Sequence, residues 1–284
     1  MFDILSRKAK SGIRRIEMLT MAMSPSRIIA RFNGPKVLAN SLPKSGTNVL
    51  IRTLSLFPNL TPGPGNVFQS LPIEEIQRKF MRCGKGKFVS GHLYPTEPVV
   101  SLLRKYNFKS VLILRDPRDV IISQDRFILN NKNHELHYYL RSFQDQDARL
   151  MVQIKGISPE FCPPGERRNL GLNIGERVRL YLPWLEIPSN YTTTFEKLIG
   201  PNGGGSIEDQ MEEIRNIAAH INTPLSDKEL RWIADRVFYR RSPTFRQGII
   251  GSWKRYFKKC HKDAFKEVCG NELILLGYEK DLNW

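Results

Sequence analysis

A lysine, a serine, a glycine and a threonine follow one another in the stretch SLPKSGTNVL, where an apolar run meets a helix-like pattern. A tight turn at Ser45 and Gly46 would direct backbone N–H groups towards one point, and the amino terminus of the next helix would add partial positive charge. Lys44 contributes a full charge, while Thr47 and Asn48 contribute side-chain hydrogen bonds. These residue types in this order predict a loop that binds a phosphate-like anion.

The loop differs from the GxxxxGK[ST] loop of nucleoside triphosphatases. Pro43 stands directly before the lysine, and Leu38 stands where the first glycine would be. We therefore do not expect the usual arrangement of magnesium and triphosphate. Taken alone, the turn is equally compatible with an ordinary connection between a strand and a helix.

Two later segments add cationic side chains. In LILRDPRDVIISQD, Arg115 follows an apolar strand-like run, and Ser123 lies two helical turns beyond the proline. Arg115 and Ser123 together would form a second anion site. In TFRQGIIGSWK, Arg246 precedes Gly248, so a basic side chain lies next to backbone that a ligand can approach closely. Each segment alone would fit a surface salt bridge or a glycine in a turn, but three in this order favour a binding site.

The elements that would position these residues alternate between strand and helix. Three short apolar runs have the character of strands, KVLANS, GKFVSGH and SVLILRD, and a helical pattern follows each of them. The last run is almost continuously apolar, as expected of a strand that is buried on both faces. The alternation predicts an α/β fold: a single domain with a central parallel sheet flanked by helices.

Composition fits a globular protein with an unusual charge. The 284 residues are 40% hydrophobic and 25% charged, and the net charge is +16. A surplus of this size attracts anions such as nucleic acid, an acidic membrane surface or a multiply phosphorylated ligand. The four cysteines lack metal-site or disulfide-scaffold spacing, which predicts reduced thiols and a cytoplasmic location.

The amino-terminal residues mix basic and apolar side chains without the compact apolar stretch of a secretory signal. No apolar run approaches the ~20 residues that a membrane-spanning helix needs. We interpret residues 1–34 as a basic amphipathic segment, which either rests on the domain as a frayed helix or makes peripheral contact with an anionic membrane. Residues 35–284 form the predicted domain.

Three motifs together resemble a known family. PKSGTN, RDPRDVIIS and FRQGIIGSWK are similar to the signatures of sulfotransferases that use 3′-phosphoadenosine 5′-phosphosulfate (PAPS), and the resemblance extends from about Lys36 to Gly277. It implies the P-loop-like sulfotransferase fold and PAPS as the donor, with 3′-phosphoadenosine 5′-phosphate (PAP) as the product. It also implies that the first motif binds the 5′-phosphosulfate and that the other two hold the 3′-phosphate. The implied cofactor-binding residues are Lys44, Ser45, Gly46, Thr47, Asn48, Arg115, Ser123, Arg246, Gln247 and Gly248.

His92 is the candidate general base. A histidine near its ordinary pKa of ~6.5 can take a proton from an acceptor at neutral pH. His92 follows a short strand and a glycine, and its segment resembles the Thr-His-Leu-Pro stretch that carries the family's base. The resemblance makes Lys44 and His92 the catalytic residues. His134 and His137 have a helical spacing that suits a metal, but no third ligand is evident, so we expect no metal site.

The chain departs from the family pattern at several positions. Ser90 replaces a lysine that often lies two residues before the base, and Val49 replaces a tryptophan that stacks on adenine in many members. Phe238 or another aromatic residue would then take over the stacking. Phe195 replaces the tyrosine of a Tyr-Glu-Asp-Leu segment. The dimerisation segment of animal members is not recognisable, which leaves the oligomeric state open.

The leading hypothesis is an enzyme that transfers a sulfuryl group from PAPS by in-line attack, without a metal. The acceptor would be a hydroxyl or amine of a small molecule or glycan, in a pocket made by the loops 61–72 and 156–171. A nucleotide kinase-like enzyme is a weaker alternative, because no aspartate-rich magnesium motif accompanies the loop. The other alternative is a protein that binds nucleic acid or a membrane surface, supported by the dense cations from Arg240 to Lys262. In the leading hypothesis no nucleic-acid partner is expected.

Overall fold

Five parallel strands form one sheet in the computed structural model, which describes residues 25–167, 169–238 and 248–284. The strands are β1 Lys36–Ser41, β2 Thr61–Phe68, β3 Lys87–His92, β4 Phe108–Leu114 and β5 Asn190–Thr194. Their order across the sheet is β2-β3-β1-β4-β5, and every neighbouring pair is parallel. The predicted α/β architecture with a central parallel sheet is therefore confirmed.

Helices connect the strands and cover the sheet. They are α1 Pro25–Asn33, α2 Thr47–Leu56, α3 Ile73–Arg82, α4 Glu97–Lys105, α5 Pro117–Leu129, α6 His137–Ser142, α7 Gln146–Lys155, α8 Ile174–Arg179, α9 Phe195–Ile199, α10 Ile207–His220, α11 Asp227–Val237 and α12 Lys259–Leu275. Their termini carry ordinary start signals. Asp116 caps α5 ahead of a proline in the first turn, and Ser226 and Glu229 form a capping box on α11.

The two faces of the sheet are buried in separate apolar clusters. Successive side chains of a strand point to opposite faces, so Leu38 joins one cluster while Val37 and Ala39 join the other. Helices α3 to α5, α7, α8 and α12 pack on the face of Leu38, and α2 and α9 to α11 pack on the opposite face. This two-sided burial explains why β4 is apolar almost without interruption.

Three of the strands agree with the sequence prediction, and two were not foreseen. Residues 61–72 were expected to be a loop, but Thr61–Phe68 pairs with β3 as an edge strand. Its sequence, TPGPGNVF, contains prolines and glycines that a central strand would not tolerate. The pairing shifts register between Pro62 and Asn66, which is where these residues interrupt the ladder. β5, with the sequence NYTTT, lies at the opposite edge of the sheet.

The loop at 156–171 contains a single turn of 3-10 helix, Pro164–Glu166. The Ile157 N–H donates to the Leu170 carbonyl at 2.8 Å and closes the loop, and both residues are buried in a small third cluster with Leu136 and Leu140. Within the described residues, none of the helices combines the length and apolar character that crossing a bilayer requires.

Candidate functional site

The carboxyl ends of four strands bring the predicted anion-binding residues to one edge of the sheet. The loop that begins at Leu42 follows β1, His92 ends β3, Arg115 follows β4, and Phe195 follows β5. Parallel α/β sheets bind ligands at this edge, because the strand-to-helix turns there expose backbone groups and helix amino termini. Motifs that are far apart in the sequence therefore lie close together in the structure.

The first motif makes a tight turn into helix α2. The Ser45 N–H donates to the Leu42 carbonyl at 3.1 Å, and Gly46 precedes the helix with φ 104° and no side-chain cap. The first backbone N–H groups of α2 are therefore not capped by a side chain. Ser45 Oγ is buried and has no hydrogen-bond partner among the described residues. A buried hydroxyl without a partner is costly unless a ligand satisfies it.

Gly46 is required by both conformation and space. A Cβ at this position would lie 2.7 Å from Cδ2 of Phe195 and 3.2 Å from Cδ1 of Ile113. The positive φ adds strain for any other residue. The ring of Phe195 thus packs directly against the turn, in the place where the family pattern has a tyrosine.

Lys44 also has a positive backbone φ, 71°, which is unusual for a residue other than glycine. Its Nζ lies 3.6 Å from the centroid of the Phe127 ring, a cation–π contact between the first motif and helix α5. A strained backbone residue at the centre of a loop is typical of a functional site. The predicted cation is therefore placed beside the turn.

His92 is half-buried, and its Nδ1 donates to the Ser41 carbonyl at 2.8 Å. This hydrogen bond identifies the neutral tautomer in which Nε2 has the free lone pair. Ser41 Oγ lies 3.1 Å from the same nitrogen and 2.7 Å from Thr47 Oγ1, so a chain of hydroxyl contacts connects the histidine with the first motif. Burial lowers the pKa of His92, and the charge of Lys44 lowers the pKa further. The imidazole is therefore predominantly neutral near pH 7.

The backbone after His92 is held from two sides. The buried Asn40 side chain accepts from Leu93 N and donates to Leu93 O, both at 2.8 Å. The Trp184 indole N–H donates to the same carbonyl at 2.8 Å. The two Asn40 bonds attach the segment that follows His92 to strand β1, and the Trp184 bond attaches it to the 3-10 turn Leu182–Glu186. They position the imidazole without touching it.

Arg115 is buried at the end of β4. Its Nη2 donates to the Ile249 carbonyl at 2.9 Å and lies 3.4 Å from the Asp119 carboxylate, while its guanidinium stacks 4.2 Å from the Phe195 ring centroid. Arg115 Nε is buried without a hydrogen-bond partner among the described residues. A buried donor of this kind suits an anionic ligand group.

The third motif meets the second at Asp119, which accepts from three donors of the segment Gly251–Trp253. Gly248 has φ 60°, in the left-handed region. Arg246 and Gln247 lie in residues 239–247, outside the described part of the chain, and their roles stay predictions.

The remaining predicted positions lie on helices α2 and α5, on strand β3 and at the end of α11. Ser123 is half-buried on α5, and no hydrogen bond joins it to Arg115 within the described residues. Asn48 lies in the first turn of α2. Phe238 ends α11 and packs against the cluster that contains α2, so its stacking on adenine stays a prediction. Ser90 donates to Asn66 Oδ1 at 2.5 Å and therefore ties β3 to the edge strand.

The histidine pair on the chain segment after α5 has structural partners. His137 is buried with Nδ1 donating to the Ile128 carbonyl at 2.9 Å, and His134 lies 3.7 Å from Glu166. Across the described ranges, no cluster of three or more histidine, cysteine or acidic side chains has metal-binding geometry.

A mostly apolar pocket of about 470 Å³ lies beside the strand end that carries His92. Its lining residues are Gln69, Tyr94, Pro95, Thr96, Leu172, Arg179, Leu180 and Pro183. The backbone N–H of Gln69, one of the lining residues, donates to the backbone carbonyl of His92 at 3.2 Å, so the pocket lies next to the end of β3. Phe68 is 40% exposed, with its ring centroid 5.9 Å from the imidazole.

Sequence reasoning missed several residues that shape the site. Asn40 and Ser41 were assigned only to a strand, and no local pattern marks them as contacts of His92. Phe127 lies outside every motif. Asp119 is part of RDPRDVIIS, but it stands between Arg118 and Val120, and that local pattern does not indicate its donors in Gly251–Trp253.

A family model described as sulfotransferase domain matches residues 34–277. No curated protein matches the chain by sequence.

Among solved structures, mouse sulfotransferase SULT7A1 complexed with PAP is similar at 18% identity and a TM-score of 0.62, over 89% of this chain and 91% of that one. Retinol dehydratase in complex with androsterone and inactive cofactor PAP is similar at 15% identity and a TM-score of 0.52, over 84% and 80%. Retinol dehydratase in a complex with retinol and PAP has the same identity and score, over 89% and 83%. At these identities the likeness to solved structures establishes the fold.

Proposed function

Because this chain belongs to the sulfotransferase family, we propose that it transfers a sulfuryl group from PAPS to a hydroxyl or amine acceptor. The observation that carries the proposal is the pair of buried polar atoms, Ser45 Oγ and Arg115 Nε, that lack partners among the described residues at one edge of the sheet. They belong to two separate segments that the sequence predicts to bind anions, which suits a ligand with two phosphate-like ends. PAPS would supply the sulfuryl group and leave as PAP.

The first motif suits the 5′-phosphosulfate. Ser45 offers an unpaired buried hydroxyl, and Gly46 leaves the helix amino terminus open without a side chain between the backbone and a ligand. Thr47 offers a hydroxyl, and Asn48 lies in the same first turn. Lys44 adds the charge that stabilises the leaving phosphate as the bond to sulfur breaks.

Arg115 and Ser123 are proposed to bind the 3′-phosphate. Arg115 is already oriented by Ile249 and Phe195, so little side-chain freedom is lost when its Nε receives an oxygen. Gly248, together with Arg246 and Gln247 outside the described residues, would complete this end of the cofactor site.

His92 is proposed to remove the acceptor's proton. The Ser41 carbonyl holds Nδ1–H, which directs the lone pair of Nε2 away from strand β1. The pKa lowered by burial keeps the imidazole neutral and ready to accept. Proton removal by Nε2 would accompany attack of the acceptor oxygen or nitrogen on sulfur, on the side opposite the leaving phosphate.

The acceptor is proposed to be a small apolar alcohol or phenol in preference to a glycan. Tyr94, Leu172, Leu180 and two prolines make up five of the eight residues that line the pocket, and Gln69, Thr96 and Arg179 are its polar members. Phe68 offers an exposed ring next to the base. Apolar walls with few polar groups bind apolar ligands, because burial of both surfaces from water is favourable.

A thermal-shift and turnover experiment on the full chain tests the function. We expect PAP at micromolar concentration to raise the melting temperature while ATP has little effect, because a ligand that binds only the folded state stabilises it. Labelled PAPS with a panel of phenols, aliphatic alcohols and sugars then measures transfer. A shift produced by DNA or anionic lipid alone, with no response to PAP, would refute the enzyme assignment.

We also propose that helix α1 makes peripheral contact with an anionic membrane. Ile28, Ile29 and Phe32 are 48%, 57% and 75% exposed, Arg31 is exposed beside them, and the exposed Lys85 donates to the Phe32 carbonyl. An apolar helix face flanked by cations suits the interface of anionic lipid. The helix leads into the amino end of β1, so the opposite edge of the sheet stays accessible to substrates.

Flotation with vesicles tests the membrane contact. Phe32→Ser should reduce binding to phosphatidylserine vesicles, whereas Tyr138→Ser, at a side chain 73% exposed on α6, should not. Equal binding of both variants, or equal binding to neutral and anionic vesicles, would contradict the proposal. The cytoplasmic location stays a prediction from the cysteine content.

A further inference from the structure

We propose that Asp119 is the positioning residue that sets this protein's preference for a 3′-phosphorylated nucleotide. It holds Arg115 and the Gly251–Trp253 backbone in one arrangement at the end of β4. The inference rests on the proposed function, because it concerns how the 3′-phosphate end of the cofactor is recognised. Asp119 acts through Arg115 and the backbone and does not itself contact the ligand.

Both carboxylate oxygens of Asp119 accept hydrogen bonds. Its Oδ1 accepts from Ser252 Oγ at 2.8 Å and from Trp253 N at 2.9 Å. Its Oδ2 accepts from Gly251 N at 2.8 Å and lies 3.4 Å from Arg115 Nη2. The side chain is fully buried. A buried carboxylate is tolerated only with such partners, and charge-assisted bonds of this kind are stronger than neutral ones.

These contacts determine which part of Arg115 is left for a ligand. Nη2 is occupied by Asp119 and by the Ile249 carbonyl, and the Phe195 ring supports one face of the guanidinium. Nε is buried without a partner among the described residues. Asp119 therefore acts on recognition in two ways. It holds the Arg115 guanidinium directly, and it holds Gly251, two residues beyond Ile249. Since the Ile249 carbonyl also accepts from Arg115, Asp119 supports this second contact as well.

Asparagine cannot reproduce this arrangement although its shape is the same. An amide has one oxygen, so its NH₂ group would face donors that already point at Asp119. Either the N–H of Gly251 or the two donors Ser252 Oγ and Trp253 N would lose the oxygen that accepts their hydrogen bonds. We expect the segment to shift and Arg115 to lose its fixed orientation.

The chain offers a matched control on the same helix. Asp125 is also buried, and it accepts from Arg149 Nε at 2.6 Å and from Gln153 Nε2 at 2.9 Å. Asp125→Asn therefore disrupts a buried ion pair of α5 without touching Arg115. Comparing it with Asp119→Asn separates loss of stability from loss of recognition.

The experiment measures dissociation constants of PAP and of adenosine 5′-monophosphate by calorimetry on the folded full-length variants. The two ligands differ only in the 3′-phosphate. Asp119→Asn should reduce the preference for PAP by about tenfold or more, the loss expected for one charge-assisted hydrogen bond. Asp125→Asn should leave the preference within about twofold at a comparable loss of melting temperature, since distant sites act independently.

Ser252→Ala provides a milder variant if Asp119→Asn does not fold. It removes one donor to Oδ1 and leaves the Arg115 contact, so we expect a smaller change in the same direction. If the wild-type protein prefers PAP and both Asp119→Asn and Ser252→Ala keep that preference, the inference is overturned while the proposed function stands. A wild-type protein with no preference for PAP would overturn both.

Discussion

Replacement of His92 by alanine separates binding from chemistry at the proposed site. His92 lies at the end of β3 and contacts Ser41, while the cofactor loop is built from other residues. The Asn40 and Trp184 bonds to Leu93 stay in place, so we expect the variant to fold. PAP affinity should stay within a few-fold of the wild-type value.

The expected loss of turnover follows from the state of the imidazole. Because burial lowers the pKa of His92 from its ordinary 6.5, more than about three-quarters of the imidazole is neutral at pH 7. A base in that state contributes about 10²–10⁴ in rate. Loss of His92 should cost this factor with an aliphatic alcohol and less with an acidic phenol, which gives up its proton more readily.

The assay measures initial rates with labelled PAPS and both acceptors between pH 5.5 and 8.5, together with PAP affinity. The wild-type kcat/KM should rise with pH through a pKa below 6.5, and this rise should disappear in His92→Ala. Lys44→Met is the contrasting variant, because it should lose both PAP affinity and rate. His220→Ala, a half-buried histidine on the covering helix α10, controls for general effects of removing an imidazole. Most activity retained towards the alcohol by a folded His92→Ala variant would refute the assignment of the base.

Three further outcomes are expected. Arg115→Ala should weaken binding of PAP about tenfold more than binding of adenosine 5′-phosphosulfate, which lacks the 3′-phosphate, and calorimetry on both ligands checks this. Gly46→Ala should lower the melting temperature and abolish PAP binding, because its Cβ would lie 2.7 Å from the Phe195 ring at a φ of 104°; normal PAP affinity would contradict the geometry of the turn. Burial lowers the pKa of His220 in the folded protein, so the unfolded chain takes up this proton at a higher pH than the folded protein does. The free energy of unfolding therefore decreases as the pH falls below about 6.5. The decrease in melting temperature from pH 7.5 to 5.5 should be smaller in His220→Gln, and an unchanged decrease would exclude this histidine as a cause.

The local elements near the site were predictable because their signals lie close together in sequence. β1 ends at Ser41, β3 ends at His92, Arg115 directly follows β4, and Pro117 opens the next helix. Parallel strands bring such ends to one edge of a sheet, so the meeting of the first two motifs followed from topology alone. Edge strand β2 was missed, because prolines and glycines normally indicate a loop and only its pairing with β3 makes it a strand.

The sequence by itself determined the residue types, the strand and helix alternation and the order of the motifs, since these depend on local patterns of charge and hydrophobicity. Only the tertiary structure decided that Ser41 holds His92, that Phe195 lies against both Gly46 and Arg115, and that Asp119 receives three donors from a segment more than 130 residues later. These partners have no fixed sequence spacing. Their contacts arise when buried polar groups, brought to one edge by packing of the sheet and helices, must each find a hydrogen-bond partner inside the protein.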